Sequence, residues 1–276
     1  MALQRKPVHS LRMNDTDHTP SLRTPRLFVD AALTPGASAS LGPEQTHYLL
    51  RVMRRGAGEQ VLLFNGRDGL FTGTLAGNDR RRIGVEVGEK LAPQPAATGP
   101  WLAFGVPKRH ALEALIQKGT ELGVSRFFPI ATERAMAERL NPHRLDRIVV
   151  EAAEQCERLD IPLIEPVLRL EDLLYGWAPE RALLWCDEQG QGIPLADAAD
   201  ALLGDDADGP PQPWGLMIGP EGGFAPGELD GLGEVPFVTR VTLGPRIMRV
   251  DTAAIAALAI GQALAGDGDL PVRSAT

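Results

Sequence analysis

"WGLMIGPEGGFAPGELD", Trp214 to Asp230, is the stretch whose reading decides the fold. Five apolar residues in a row suit a buried strand, and Gly219-Pro220 ends it. Glu221, Gly222, Gly223 and Phe224 follow, before a proline and two acidic residues. Glycine-rich loops after strands usually cradle phosphate with the help of a lysine. This loop has no lysine and offers Glu221, so its ligand is not expected to be an anion. "VTLGPRIMRVDTA" (Val241–Ala253) repeats the device: an apolar run halts at Gly-Pro and the chain soon enters an apolar helix. In an open parallel sheet, ligands gather beyond the carboxyl ends of the strands. Both loops present backbone groups with little side-chain cover, because Gly219, Gly222, Gly223 and Gly244 leave room for close approach. Such loops suit a ligand with amine donors and a positive centre. An adenine-bearing sulfonium meets that description, and a nucleoside triphosphate does not.

Working outward, residues 101–276 alternate short apolar runs with helical patterns. "WLAFGV" precedes "KRHALEALIQKGTELG", whose Leu112, Leu115, Ile116 and Leu122 recur at helical spacing before Gly123. "VSRFFPI", "ALLWC", "WGLMI" and "FVTRVTL" read as further strands, and Asn141-Pro142 opens another helix. "DTAAIAALAIGQALAG" is apolar nearly all round and is expected to be buried. The class is therefore α/β, with a parallel sheet covered on both faces.

Ahead of it lies a different rhythm. "RLFVD", "EQVLLFNGRDGLFTGTLAG" and "RIGVEVGEKL" read as strands, with a hairpin turn at Asn65–Gly69. "GPEQTHYLLRVMRRGAGE" reads as one helix that buries Tyr48, Leu49, Val52 and Met53 and exposes Arg51, Arg54 and Arg55. The expected plan is a polar, disordered extension over residues 1–24, a small mostly-β barrel over 25–92, a linker over 93–100 within "LAPQPAATGP", and the α/β domain over 101–276.

The net charge of −8 hides an asymmetry: residues 1–95 hold 13 Lys+Arg against 9 Asp+Glu, while residues 96–276 hold 15 against 27. A basic module beside an acidic one is compatible with a phosphate-bearing partner at the first. No apolar run nears the roughly 20 residues that span a bilayer, which argues against a membrane. Cys156 and Cys186 are too few for a disulfide framework or a metal knuckle, and they fit a reduced cytoplasm.

The pair "IGPEGGF…GEL" and "LGPRIMRVDTA", with "IQKGTELGV", "TERA" and "EAAEQCER" ahead of them, closely resembles the bacterial 16S ribosomal RNA (uracil-N3)-methyltransferase family. That family is a branch of the SPOUT superfamily of knotted, S-adenosylmethionine-dependent methyltransferases. The resemblance runs from "RLFVD" to the C-terminus, and "HYLLRVMRRGAGEQVLLFNGRDG" looks like the family's PUA-like RNA-binding barrel. It implies a deep trefoil knot, a homodimer, S-adenosylmethionine as methyl donor, no metal, and 16S ribosomal RNA of the small subunit as substrate. It places Gly219, Glu221 and Gly222 on one wall of the donor pocket and Leu243, Gly244 and Met248 on the opposite one. The loop after "ALLWC", near Leu184 and Trp185, is the third wall.

Uracil N3 is a weak nucleophile until it loses its proton, so the site must stabilise a developing imide anion. Arginine, permanently charged and fork-shaped, suits that role. Arg246 and Arg249 are the candidates, with Asp251 as proton acceptor or, alternatively, as N-cap of the last helix. Glu221 has a similar second reading, as a cap for local N–H groups. Arg26, Arg51, Arg54, Arg55, Lys108 and Arg134 are the candidate RNA contacts.

Two stretches depart from the family pattern: "MRVDT" replaces the usual "LRTET", at Val250 and Asp251, and Arg147 stands where tryptophan is common. The Val250 and Asp251 substitutions keep a non-catalytic RNA-binding or ribosome-assembly protein of the same fold in contention. A SPOUT enzyme acting on another RNA position is the nearer rival. A nicotinamide-dependent oxidoreductase is weak, since no G-x-G-x-x-G follows the first strand of either half.

Overall fold

The structure is a computed structural model that describes residues 24–77, 83–135, 140–204 and 210–267. Residues 1–23 of the expected extension lie outside the described residues.

The first part of the chain forms β1 (Arg26–Phe28), β2 (Ser38–Ser40), α1 (Pro43–His47), β3 (Gln60–Phe64), β4 (Leu70–Ala76) and β5 (Gly84–Ala92). The strands pair in the order β1-β3-β4-β5-β2. All neighbours are antiparallel except β1 and β3. Alternating residues such as Val61, Leu63, Val85 and Val87 fill one core with Leu27, Leu41 and Leu49. The hairpin turn forms where the Asn-Gly signal put it. Asn65 Oδ1 accepts from the N–H groups of Arg67 and Asp68, while Asp68 Oδ2 accepts from Leu33 N–H. That last bond is the main cause holding the Asp68 carboxyl below its ordinary range.

The helix read over residues 42–59 is a correction. α1 stops at His47, and Tyr48–Val52 form a π-helical turn, in which Met53 N–H bonds the Tyr48 carbonyl at 3.0 Å. A turn of more than four residues moves Val52 from between Tyr48 and Leu49 to the Arg51 side of Tyr48. Leu49 is buried, while Tyr48 is 40% and Val52 64% exposed.

The second part contains β6 (Trp101–Gly105), α2 (Arg109–Glu121), β7 (Arg126–Ala131), α3 (Pro142–Gln155), β8 (Leu163–Ile164), β9 (Leu168–Arg169), α4 (Leu170–Gly176) and β10 (Ala182–Cys186). β11 (Ile193–Pro194), α5 (Leu195–Ala201), β12 (Trp214–Ile218), α6 (Pro226–Gly233), β13 (Val238–Thr242) and α7 (Val250–Ala265) complete it. The sheet order is β11-β13-β10-β12-β6-β7-β8, every pair is parallel, and β9 also joins β7.

Period-two alternation sends neighbours to opposite faces. Leu216 and Ile218 join the core under α2, α3, α5 and α7, whereas Met217 joins the core with Leu173 and Leu232 of α4 and α6. Asn141 caps α3 as expected, its side chain accepting from Arg144 N–H. α7 buries Val250, Ala254, Ala257, Leu258 and Gly261, but Ala259, Ala263 and Leu264 are exposed, so one side of the helix is open.

The two sheets meet at a firm junction. Phe64 packs with Ala153 and Leu159, flanked by Phe28, Leu70 and Ile161. Glu154 Oε1 on α3 accepts from Phe28 N–H at 2.8 Å and from Gln45 Nε2 at 3.2 Å. Burial raises the Glu154 carboxyl above its ordinary range, outweighing those two bonds. Arg147 pairs with Glu44 across the junction at 2.8 Å.

Candidate active site

The order β13-β10-β12 sets three parallel strands side by side, so the loops leaving their carboxyl ends share one edge. Asp187–Gly190 follow β10, which ends at Cys186, Gly219–Phe224 follow β12, and Leu243–Arg249 follow β13. Together they line a cavity of about 430 Å³, which also touches Ile218, Val250 and Ala253. Small-molecule sites run to roughly 300–1,000 Å³.

Of the residues singled out from sequence, Gly219, Glu221, Leu243, Gly244, Arg246, Met248 and Arg249 all line this cavity. Glu221 is exposed, and the capping role at the next helix falls to Glu228, whose Oε2 accepts from Ala225 N–H at 2.7 Å. Gly222 is not on the lining: it packs against the turn after β7, and a β-carbon there would sit 3.0 Å from the Arg134 carbonyl. Gly223 is the demanding glycine of the loop. Its φ is +67°, and a β-carbon would lie 2.4 Å from the Glu188 carboxylate. The Leu184 side chain is 1% exposed and belongs to the core, off the cavity's lining. The residues after it, from Cys186 to Gly190, form the third wall.

Asp251 is not the N-cap of α7. Arg249 holds that position, and Asp251 lies in the first turn with Oδ1 buried and without a hydrogen-bond partner.

The third wall is held by groups that sequence reasoning missed. The Asp187 side chain is 1% exposed. Its Oδ1 accepts from Gln189 N–H at 3.1 Å and its Oδ2 from Gln191 N–H at 3.0 Å. Arg240 Nε of β13 stands 3.0 Å from the same Oδ2, an ion pair that is not aligned as a hydrogen bond. The Arg240 guanidinium bonds Gln191 Oε1 and lies 4.9 Å from the centre of the Trp185 ring. Trp185 in turn meets Phe224 edge-on at 5.9 Å, which couples the first wall to the third. The signal was present: an arginine inside "FVTRVTL" is out of place in a buried strand unless a carboxylate waits beside it. Burial pushes the Cys186 thiol up to about 12, so it stays protonated at neutral pH and is not a nucleophile.

Lys108 and Arg134 are exposed and follow β6, the strand next to β12, and β7, one strand further, at the cavity's edge of the sheet. Arg51 and Arg54 are exposed on the first module. Arg55 pairs with Glu59 at 2.9 Å. Arg26 turns inward, 12% exposed, and grips Glu157 through both its carboxylate and its carbonyl. It ties the modules together instead of facing outward.

Comparison with known proteins accounts for this layout. The model of an RNA methyltransferase domain matches residues 96–262, and that of an RNA methyltransferase PUA domain matches residues 41–87. Ribosomal RNA small subunit methyltransferase E of Synechocystis is 31% identical over 257 residues, covering 91% of this chain and 82% of the relative. The chain belongs to the ribosomal RNA small subunit methyltransferase E family. The Rickettsia conorii member is 28% identical over 85% of this chain and 93% of its own. The Neisseria gonorrhoeae methyltransferase E, solved bound to S-adenosyl methionine, superposes with a TM-score of 0.72 at 26% identity, over 88% of this chain and 98% of that one. A putative methyltransferase from Legionella pneumophila, solved with the same cofactor, gives 0.73 at 28% identity over the same shares. Within the methyltransferase E family, Arg147 in this chain is a surface ion-pair residue, 60% exposed, and not a core substitute for tryptophan.

Proposed function

We propose that this chain methylates N3 of a uridine in 16S ribosomal RNA of the small subunit, with S-adenosylmethionine as donor. The observation that carries the reading is the single cavity built by three neighbouring loops with Arg246 and Arg249 on its lining. The residues fit the donor: Glu188 and Glu221 face cationic and hydroxyl groups, while Ile218, Phe224, Leu243 and Met248 offer apolar contact to a purine. When bound, the donor supplies an electrophilic methyl group on a positively charged sulfur.

The chain's own residues do the rest. Arg246 and Arg249 receive the negative charge that spreads over the uracil O2 and O4 as N3 loses its proton. Asp251, in the first turn of α7 beside Val250 on the lining, is the candidate to receive that proton. Holding the acceptor in line with the methyl group supplies much of the acceleration. Arg51, Arg54, Lys108 and Arg134 meet backbone phosphates, which orient an RNA without reading its sequence.

A deep trefoil knot is part of this reading. β13 lies on the far side of β10 from β12, yet α7 packs back on β12, β6 and α2. The Leu243–Arg249 segment therefore has to pass β10 and its loop. The open side of α7, with Ala259, Ala263 and Leu264, supports a homodimer that completes the site. Residues 25–92 act as the RNA-binding module and 101–276 as the methyltransferase domain, joined by 93–100. Among the described residues no helix is long and apolar enough to cross a membrane. With two free thiols, this supports work in the cytoplasm.

Mass spectrometry of ribosomal RNA from cells lacking the protein tests the function. One N3-methyluridine is expected to vanish from 16S RNA and to return with the wild-type gene. An unchanged modification profile would overturn the assignment.

A further inference from the structure

The π-helical turn leaves a stripe that the methyl-transfer site does not use. His47, Tyr48, Arg51, Val52 and Arg54 are all exposed, and no carboxylate occurs in the sequence between Gln45 and Gly58. Tyr48 is 40% exposed where α1 ends, and Val52 is 64% exposed although an α-helical continuation would turn it toward the Leu49 side, where the core lies. The backbone departs from regular geometry twice around this stripe. The turn is π, held by Met53 N–H to Tyr48 O and by Arg55 N–H to Leu49 O at 2.8 Å. Immediately after it, Arg54 sits at φ +54°, a left-handed conformation that costs a non-glycine residue energy. Irregular turns and left-handed side chains gather at functional sites. Here they present a phenol ring and an isopropyl group between guanidinium groups.

We propose that Tyr48 is a stacking platform for an unpaired base of the substrate RNA, with Val52 beside the ring and Arg51 and Arg54 on the flanking phosphates. The inference rests on the chain acting on RNA and adds a base-contacting residue to a module otherwise assigned only phosphate contacts. Single-stranded RNA exposes π-faces, and proteins bind it by combining aromatic platforms with cationic tracks. In A-form duplex the bases are stacked on one another and no face is free. A second copy of this chain is a poorer occupant, because a two-fold contact through the stripe sets Arg51 and Arg54 near their own copies with no carboxylate between them.

The test compares a short unstructured RNA with the same RNA annealed to its complement, on the full chain. Tyr48→Ala is expected to weaken single-strand binding about tenfold and duplex binding hardly at all. Tyr48→Phe keeps the ring and is expected to bind like the wild type. The slope of log affinity against log salt is expected to stay unchanged in Tyr48→Ala and to flatten by about 1.4 when Arg51 and Arg54 both become alanine. Donor binding by calorimetry serves as the fold control and is expected to hold in every variant. The proposal is overturned if Tyr48→Ala binds single strands like the wild type, if both RNA forms weaken equally, or if Tyr48→Ala instead shifts the oligomeric state in sedimentation. These outcomes are separate from the fate of the uridine assignment, which is read from the cellular RNA.

Discussion

The third wall and the wall opposite it bound the same cavity and are built in opposite ways. Asp187–Gly190 hang from a buried carboxylate that takes two backbone N–H groups and faces an arginine laid over an indole ring. Gly244–Arg249 have none of this. Arg246 and Arg249 are exposed, Ile247 is 91% exposed, and the helix that follows begins without a side-chain cap. One wall is fixed before any ligand arrives, and the other presents its charged groups to whatever enters. A site for methyl transfer needs both, a fixed seat for the donor and cations that act only as the acceptor ionises.

The sharpest way to break this contrast is to remove a cation from the open wall. Arg246→Ala is expected to cut turnover about 10²–10³-fold, ~2.7–4 kcal/mol of transition-state stabilisation, while donor affinity by calorimetry changes less than about twofold. Equal losses in both would make Arg246 a donor contact instead.

The fixed wall is expected to answer differently. Asp187→Asn keeps the shape but removes the charge facing Arg240. Donor affinity is expected to fall about tenfold, and amide exchange at Gln189 and Gln191 to quicken while the rest of the chain keeps its protection. Uniform loss of protection would reduce Asp187 to general support.

Two neighbouring glycines sharpen the picture further. Gly223→Val collides with Glu188 and a left-handed backbone, so donor binding is expected to weaken about tenfold. Gly222→Val pushes on the Arg134 carbonyl, and its loss is expected in RNA affinity, about threefold, with donor binding kept. If the two variants behaved alike, the first and third walls would move as one body.

The smallest effect lies at the module junction, away from both walls. Burial raises the Glu154 carboxyl in the folded chain, so the fold binds its proton more tightly than the unfolded chain does. This contribution is fully present below the unfolded carboxyl's ordinary value near 4.5 and is lost as pH rises through the raised folded value. Urea midpoints followed upward from pH 4 should show the decline in the wild type. Glu154→Gln should lack that component, and identical pH profiles would assign the dependence elsewhere.

Much of this was legible in the sequence. Gly-Pro after a short apolar run marks a strand end, and two such ends in one parallel sheet point to one edge. Most of the residues named there do line one cavity. Other features depend on pairing that no local pattern encodes. Asp187 and Arg240 meet only because β13 settles beside β10, and Arg26 looks like a surface cation until Glu157, 131 residues along, turns up beside it. An α-helical period puts Val52 beside Leu49, on the core side. The backbone takes a wider turn instead, and spacing alone cannot distinguish a π turn from an α turn.

The junction has a consequence of its own. Phe64 lodged against Ala153 and Leu159, with Glu154 holding Phe28 and Gln45, leaves little slack between the arginine stripe and the methyl-transfer cavity. With the RNA contacts proposed above, that rigidity would make the chain a fixed-jaw caliper. An RNA would then qualify by the span between its gripped strand and its target base, so a fold of the right dimensions could be selected with few letters of its sequence ever being read.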